Sequence, residues 1–261
     1  MKILVCIKQV YNSEFIEEID DENNCIISGQ NTEYRMNRFD EYALEEALLL
    51  KDIRKEVSID VITVGAKKGR DVIKRALGMG ADRGIHIIAE PENGFDPVVT
   101  ASLIAKEAAK QHFDLILTGV MSEDMMHGQT GQMLAEMLNI PSASSVVKLA
   151  LEPAKAYVYA ERELESGVRE KVEASLPALF TIQGGINTPR YPTLSNILNA
   201  DAKEIVEIKA DSGNSQIAVL SLRRPEKVRN GLYLSGTSTE KAELLYRILK
   251  EKNALQDESG K

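Results

Sequence analysis

The chain has 261 residues, 43% apolar and 28% charged, a composition that can bury a large core without a disulfide or a metal. Its formal net charge of −8, with no Lys/Arg stripe, no Trp and 5% aromatics, disfavours a nucleic-acid binder, which needs basic surface and stacking platforms. No stretch reaches the ~18 uninterrupted apolar residues of a membrane span, and Cys6 and Cys25 form no paired motif, so free thiols in the cytoplasm are expected.

In chain order, nearly continuous apolar runs over 3–7, 59–64, 84–88 and 115–118 alternate with amphipathic stretches. Unalternated strands of that kind suit a parallel sheet covered on both faces. Residues 37–52 predict a helix with Ala43, Leu44, Ala47 and Leu48 as its apolar stripe and Glu41, Glu45, Glu46 and Lys51 in water. Asn37 is placed to cap it, with Asp40 imitating a capping box. Residues 69–77 predict a second helix closed by Gly78 and Gly80, Asp96 and Pro97 open a third, and a fourth covers about 128–139, before Pro141. The glycines from Gly78 to Gly84 imitate a dinucleotide fingerprint, but they end a helix instead of opening one, so they read as a turn.

Beyond Pro141 the grammar changes. Residues 145–152, 156–165 and 167–174 predict consecutive antiparallel strands, 177–182 returns to an apolar run, and 183–200 is a surface loop with Gly184, Gly185, Pro189, Pro192 and a short helix. Residues 217–222 predict a strand, 223–231 a charged linker, and 237–255 an amphipathic helix with Ala242, Leu245 and Leu249 on one face. The expected fold class is therefore α/β, a doubly wound, mostly parallel sheet with an antiparallel insertion. It is expected to occupy 1–222, with a linker and helical arm over 223–261.

Ligands of such sheets bind beyond the carboxyl ends of the parallel strands, where the strand order reverses. Residues 6–10, 37–40, 64–65 and the segment from Gly119 converge there. Gly128, Gln129, Thr130 and Gly131 open the fourth helix, where unpaired amides and the helix dipole favour an anion, with phosphate the natural guest. The same residues suit an ordinary turn and cap. His127 adjoins them, but one histidine without clustered ligands does not make a metal site. His86 reads as packed and His112 as solvated, and Met121, Met125, Met126 and Met133 read as core filler more than as a ligand wall. No Walker loop, G-x-S-x-G elbow or Cys/His dyad is present, so the residues do not suggest hydrolysis.

KILVCIKQV, MNRFDEYALEEALLLK, ALGMGADRGIHI, DLILTGVMSEDMMHGQTGQMLAE, LPALFTIQGGINTPRYPTLSNILNA and the terminal helix, taken in order, resemble the β subunits of electron transfer flavoproteins. The resemblance implies a Rossmann-like fold of the adenine-nucleotide-hydrolase type and a heterodimer with an α subunit that carries most of a redox FAD. It implies AMP held structurally in this chain or, in electron-bifurcating members, a second FAD in the same pocket. The pocket maps onto Cys6, Asn37 to Asp40, Val64 and the loop from Gly119 to Thr130, with Asp124, His127, Gly128 and Gln129 within it. Phe39 matches an aromatic that nears the flavin ring, and Leu194 matches the leucine that anchors a dehydrogenase partner.

Departures from the family pattern are Arg38 in place of a proline, Asn12 and Ser13 in place of an acidic residue and an aromatic, Gly128 in place of Asn, and the lack of a Gly-Asp-Gly turn. The implied activity is that of an electron carrier without catalytic side chains of its own, between acyl-CoA dehydrogenase-type flavoenzymes and an acceptor such as a quinone reductase. A stand-alone adenine-nucleotide sensor of the universal-stress type is the competing class. An ATP-dependent activating enzyme is disfavoured, because residues 9–13 contain no glycine.

Overall fold

A computed structural model describes residues 1–12, 18–20, 25–27, 32–89, 96–151, 157–210, 215, 217, 219–223, 231–252 and 254. Ser13, the Cys25 side chain, Leu255 and residues 224–230 of the expected linker lie outside the described residues. The chain begins with β1 (Lys2–Cys6) and two small hairpin pairings, β2 (Gln9–Tyr11) with β5 (Tyr34–Met36) and β3 (Glu18–Asp20) with β4 (Cys25–Ile27). There follow α1 (Arg38–Ile53), β6 (Ser58–Gly65), a single tight turn at Lys67–Gly69, α2 (Arg70–Met79), β7 (Arg83–Ile88), α3 (Pro97–Ala108) and β8 (Leu115–Gly119). The second half adds α4 (Thr130–Leu138), β9 (Ser142–Leu151), β10 (Tyr157–Glu163), β11 (Arg169–Ser175), β12 (Ala178–Ile182), α5 (Leu194–Ala200), β13 (Ile205–Lys209) and α6 (Ser238–Glu251).

Nine strands form one sheet in the order β11-β10-β9-β12-β8-β1-β6-β7-β13. From β9 to β13 all neighbours are parallel, and β10 and β11 extend the β9 end antiparallel. Successive side chains of a strand point to opposite faces. Ile3, Val5, Ile59 and Val61 accordingly join Leu44 and Ile73 of α1 and α2 in one core, while Leu4, Ile62 and Ile85 join Ile104 and Leu134 of α3 and α4 in the other. Apolar demand on both faces is why these strands lack alternation, and the expected doubly wound architecture is borne out.

Several elements differ from expectation. No strand occupies the described residues of 217–222. The ninth strand is β13, which pairs parallel with β7; it is a short edge whose Glu207 and Lys209 hide the pattern of a buried strand. Gly78 does not end α2, which runs to Met79 and stops at Gly80 in a positive-φ conformation. Instead Gly78 lies against Pro192 and Ile197 of the loop and helix above it. Glu45 and Glu46 do not face water but are 3% and 8% exposed. The stripe reading assumed that α1 has one covered face, but residues 183–193 cover a second.

The chain divides into two compact units, Met1–Leu222 and Arg223–Lys261. In the second, α6 opens on a capping box: Thr237 N donates to Glu240 Oε2 at 2.7 Å and Glu240 N to Thr237 Oγ1 at 3.4 Å. Among the described residues no helix is long and apolar enough to cross a membrane.

Candidate functional site

Strands β1 and β8 are neighbours, yet the chain leaves β1 to build β6 and β7 on one side and returns to β8 on the other. Connections that depart in opposite directions leave a gap beyond the carboxyl ends of the two strands. The gap is a cleft of about 750 Å³ that opens to solvent. Cys6, Ile7 and Lys8 leave β1 along one wall and Val64 ends β6 beside them, while Pro97, Thr100 and Ile104 present one face of α3. Thr118 to Ser122, Met125, and His127 to Gly131 complete it.

Asp40 closes the base. Its Oδ2 accepts the Lys8 amide at 2.7 Å and its Oδ1 the Gly119 amide at 3.0 Å, so one carboxylate joins the ends of β1 and β8 to the first turn of α1. Burial pushes its pKa up to about 7, against the pull of the Lys8 and Gly119 amides and the Asn37 side chain. The arrangement leaves no room at position 119: a Cβ there would collide with the Asp40 carboxylate and lie 2.6 Å from Phe39 Cβ. The buried Cys6 thiol is raised by desolvation and by Asp40, which makes it an inert wall and not a nucleophile.

Asn37 stands at the N-cap position of α1 but makes no side-chain cap, and Asp40 makes no capping box. The Asn37 amide instead spans the loop after β8, donating to Met121 O at 2.9 Å and accepting from Glu123 N at 3.1 Å. Glu123 also pairs with Arg35 at 3.0 Å and accepts the Arg38 amide at 3.2 Å, a donor that a proline at 38 would lack. Lys8 Nζ bridges to Asp124 at 2.8 Å and to Ser122 Oγ at 3.3 Å. The loop is thus fastened to β1, β5 and α1 by side chains.

Helix α4 begins at Thr130 after Gln129, whose side chain makes no cap. Its first-turn amides therefore stand open at the cleft. Gly128 takes a φ of +62°, and a Cβ at Gly131 would lie 2.6 Å from Thr181 Cγ2 and 2.8 Å from Thr118 Oγ1, so the helix start is pressed onto β8 and β12. The lining combines groups that can donate to an anion, at Gln129, Thr130 and His127, with less polar ones, at Cys6, Val64, Pro97 and Ile104. A helix start with no side-chain cap, on a cleft that also has apolar lining, can accept an anionic group.

Nine of the residues expected from sequence line this one cleft: Cys6, Asn37, Asp40, Val64, Gly119, His127, Gly128, Gln129 and Thr130. Two do not. Phe39 lies half-buried beside Gly119 and Gly184, and Asp124 turns to Lys8. Leu194 opens α5, outside the cleft lining, and is 74% exposed. Lys8 and Ser122 lie within the stretches 6–10 and 119–130 expected at the cleft, whereas the sequence reading missed Thr118 and the Pro97–Thr100–Ile104 face, although the 0, 3, 7 spacing of the last three was a readable signal. His86 is buried and His112 exposed, as expected.

A family model of the electron transfer flavoprotein domain matches residues 25–212. The chain is 34% identical over 262 residues to the electron transfer flavoprotein subunit beta of Methylophilus methylotrophus, covering 96% of this chain and 98% of the relative. The corresponding protein of Homo sapiens is 33% identical over 250 residues, 94% and 96% of the two chains. That of Bacillus subtilis is 33% identical over 258 residues, 96% and 98%.

Proposed function

The chain belongs to the electron transfer flavoprotein family as a β subunit, and on that premise we propose that its cleft holds AMP as a structural nucleotide. In this reading it pairs with an α subunit that carries FAD, and the heterodimer carries electrons from acyl-CoA dehydrogenase-type flavoenzymes to an acceptor in the cytoplasm. The FAD supplies the electron uptake and release when bound. This chain supplies binding and orientation, and no catalytic side chain is assigned to it.

The carrying observation is the uncapped start of α4 at the switch point between β1 and β8. Its amides, with Thr130, Gln129 and His127, would hold the phosphoryl group, and Cys6, Val64 and the α3 face would line the adenosine. Asp40 and Asn37 act one step back, fixing the strand ends and the loop that form the walls. Phe39, on the rim beside Gly184, is assigned to the flavin side of the subunit contact. Leu194 is assigned to the dehydrogenase, and the arm over 223–261 to the α subunit through Ala242, Leu245 and Leu249. The relatives named above are all electron transfer flavoprotein subunits, which favours this class over a stand-alone sensor.

The test is to co-produce the chain with its α subunit, denature the purified complex and identify what is released. One AMP and one FAD per heterodimer are expected. Two FAD and no AMP would place the second flavin in this cleft, and a complex free of any adenylate would overturn the reading.

A further inference from the structure

The loop that carries the exposed Leu194 is held by a set of part-buried polar contacts that the cleft does not use. Glu45, in the middle of α1, accepts the backbone amide of Arg190 at 3.0 Å, its Nε at 3.0 Å and its Nη2 at 2.9 Å. One carboxylate therefore fixes both the main chain and the guanidinium of residue 190, and Nη2 reaches on to Asp52 at 2.7 Å. Three residues earlier, Asn187 Nδ2 donates to Tyr42 O and to Glu46 Oε2, each at 3.0 Å.

The chain is then triangulated from α2. Pro192 lies against Gly78, where a Cβ would come within 3.3 Å of it, and Thr193 Oγ1 caps α5 by accepting Asn196 N at 3.2 Å. Tyr191, 85% exposed, lies under Arg75 at 5.8 Å. Nothing in this list covers Leu194 or Leu198, which remain exposed.

A buried ion pair is a weak device for stability, because desolvation offsets its attraction, but a planar guanidinium fork fixes direction well. A lock of that kind, four residues before an exposed leucine, makes sense if the leucine must be presented in one place. We infer that Arg190 is a positioning residue that holds Leu194 in its docking conformation, so that the dehydrogenase meets a preformed anchor. The inference rests on the docking role of Leu194 proposed above. Ordering an anchor before encounter removes an entropic cost from association, so the lock acts on binding and not on electron transfer itself.

The test uses the complete heterodimer and an acyl-CoA dehydrogenase. Arg190→Lys keeps the charge and loses the fork. It should raise the KM for the heterodimer about tenfold at unchanged kcat and unchanged flavin content, and it should speed amide exchange over residues 186–194. In a cycle with Leu194→Ala, the double variant should have a KM no higher than Leu194→Ala alone, because a lock has nothing left to present. Unchanged KM and exchange in Arg190→Lys, or additive effects in the cycle, would overturn the inference while leaving the docking reading intact. If Leu194→Ala leaves KM unaltered, the docking reading itself fails and this role falls with it. Should Arg190→Lys not assemble, Asn187→Ser, which removes the two outer ties, is expected to give the same KM effect at smaller size, and its absence would count equally against the lock.

Discussion

The cleft between β1 and β8 and the loop that carries Leu194 differ in what shapes them. The floor and the α4 end of the cleft are shaped by main chain, with glycines at 119, 128 and 131 where side-chain atoms would collide or strain the backbone and a single carboxylate, Asp40, that binds two amides, while ion pairs of Lys8 and Arg35 fasten only the loop after β8. The loop is shaped by charged side chains, with Arg190 forked onto Glu45 and Asp52. A floor made of main chain should fail when atoms are added and respond little to salt. A lock made of ion pairs should tolerate added atoms and fail when charge is removed.

The largest expected effect comes from the carboxyl group at the base of the cleft. Asp40 has a folded pKa pushed up to about 7 by burial, well above the ordinary carboxylate value, so between the two the folded chain keeps a proton that the unfolded chain releases. The stabilisation is fully present below the unfolded value and is lost as pH rises through 7, a swing on the order of 4 kcal/mol. Denaturant midpoints of wild type and Asp40→Asn across that range should diverge with this sign, because the amide cannot titrate. A pH-independent difference would mean that the two amide donors keep the carboxylate ionised throughout.

Next in size is added bulk. Gly131→Val pushes methyl groups into Thr181 and Thr118 and should cost about 3 kcal/mol. The helix start can only move away from β8 and β12, so the variant should also lose its nucleotide. Retention of full nucleotide with wild-type stability would show that the tight fit at α4 does not shape the cleft. On the other side of the comparison, Glu45→Gln adds no bulk and removes one charge. It should cost about 2 kcal/mol, and it should reduce the salt sensitivity of amide exchange in residues 186–194, leaving only the part due to Asp52. Salt-insensitive exchange in the wild type would erase the distinction between the two regions.

The same distinction explains what could be read from the sequence. Gly128, Thr130 and Gly131 are local, and a glycine-rich helix start after an apolar strand announces itself within ten residues. The strands and helices of the doubly wound sheet were legible for the same reason, since period and punctuation are short-range properties. Lys8 fell within the stretch placed at the cleft, but its pairing was not legible, because its partner Asp124 lies 116 residues away. Glu45 was misread, because its neighbour Arg190 is 145 residues distant and charge on a helix ordinarily means solvent. Asn37 and Asp40 were placed correctly at the cleft but given a capping role; their side chains serve the loop after β8 and the ends of β1 and β8. β13 escaped notice because a five-residue edge strand with two charges carries no distinctive pattern.

The smallest effect on stability belongs to the residue with the sharpest proposed role. Leu194 is 74% exposed, so Leu194→Ala removes little buried surface and should shift unfolding by less than about 0.5 kcal/mol. Its effect should surface only when a dehydrogenase is present, as a higher KM at constant flavin content. An exposed leucine four positions after a fork onto Glu45 is the arrangement that the proposed docking role requires. A Leu194→Ala chain that unfolds well below wild type would instead show Leu194 to be part of the packing of α5 on α2, and the loop would then be one more piece of scaffold.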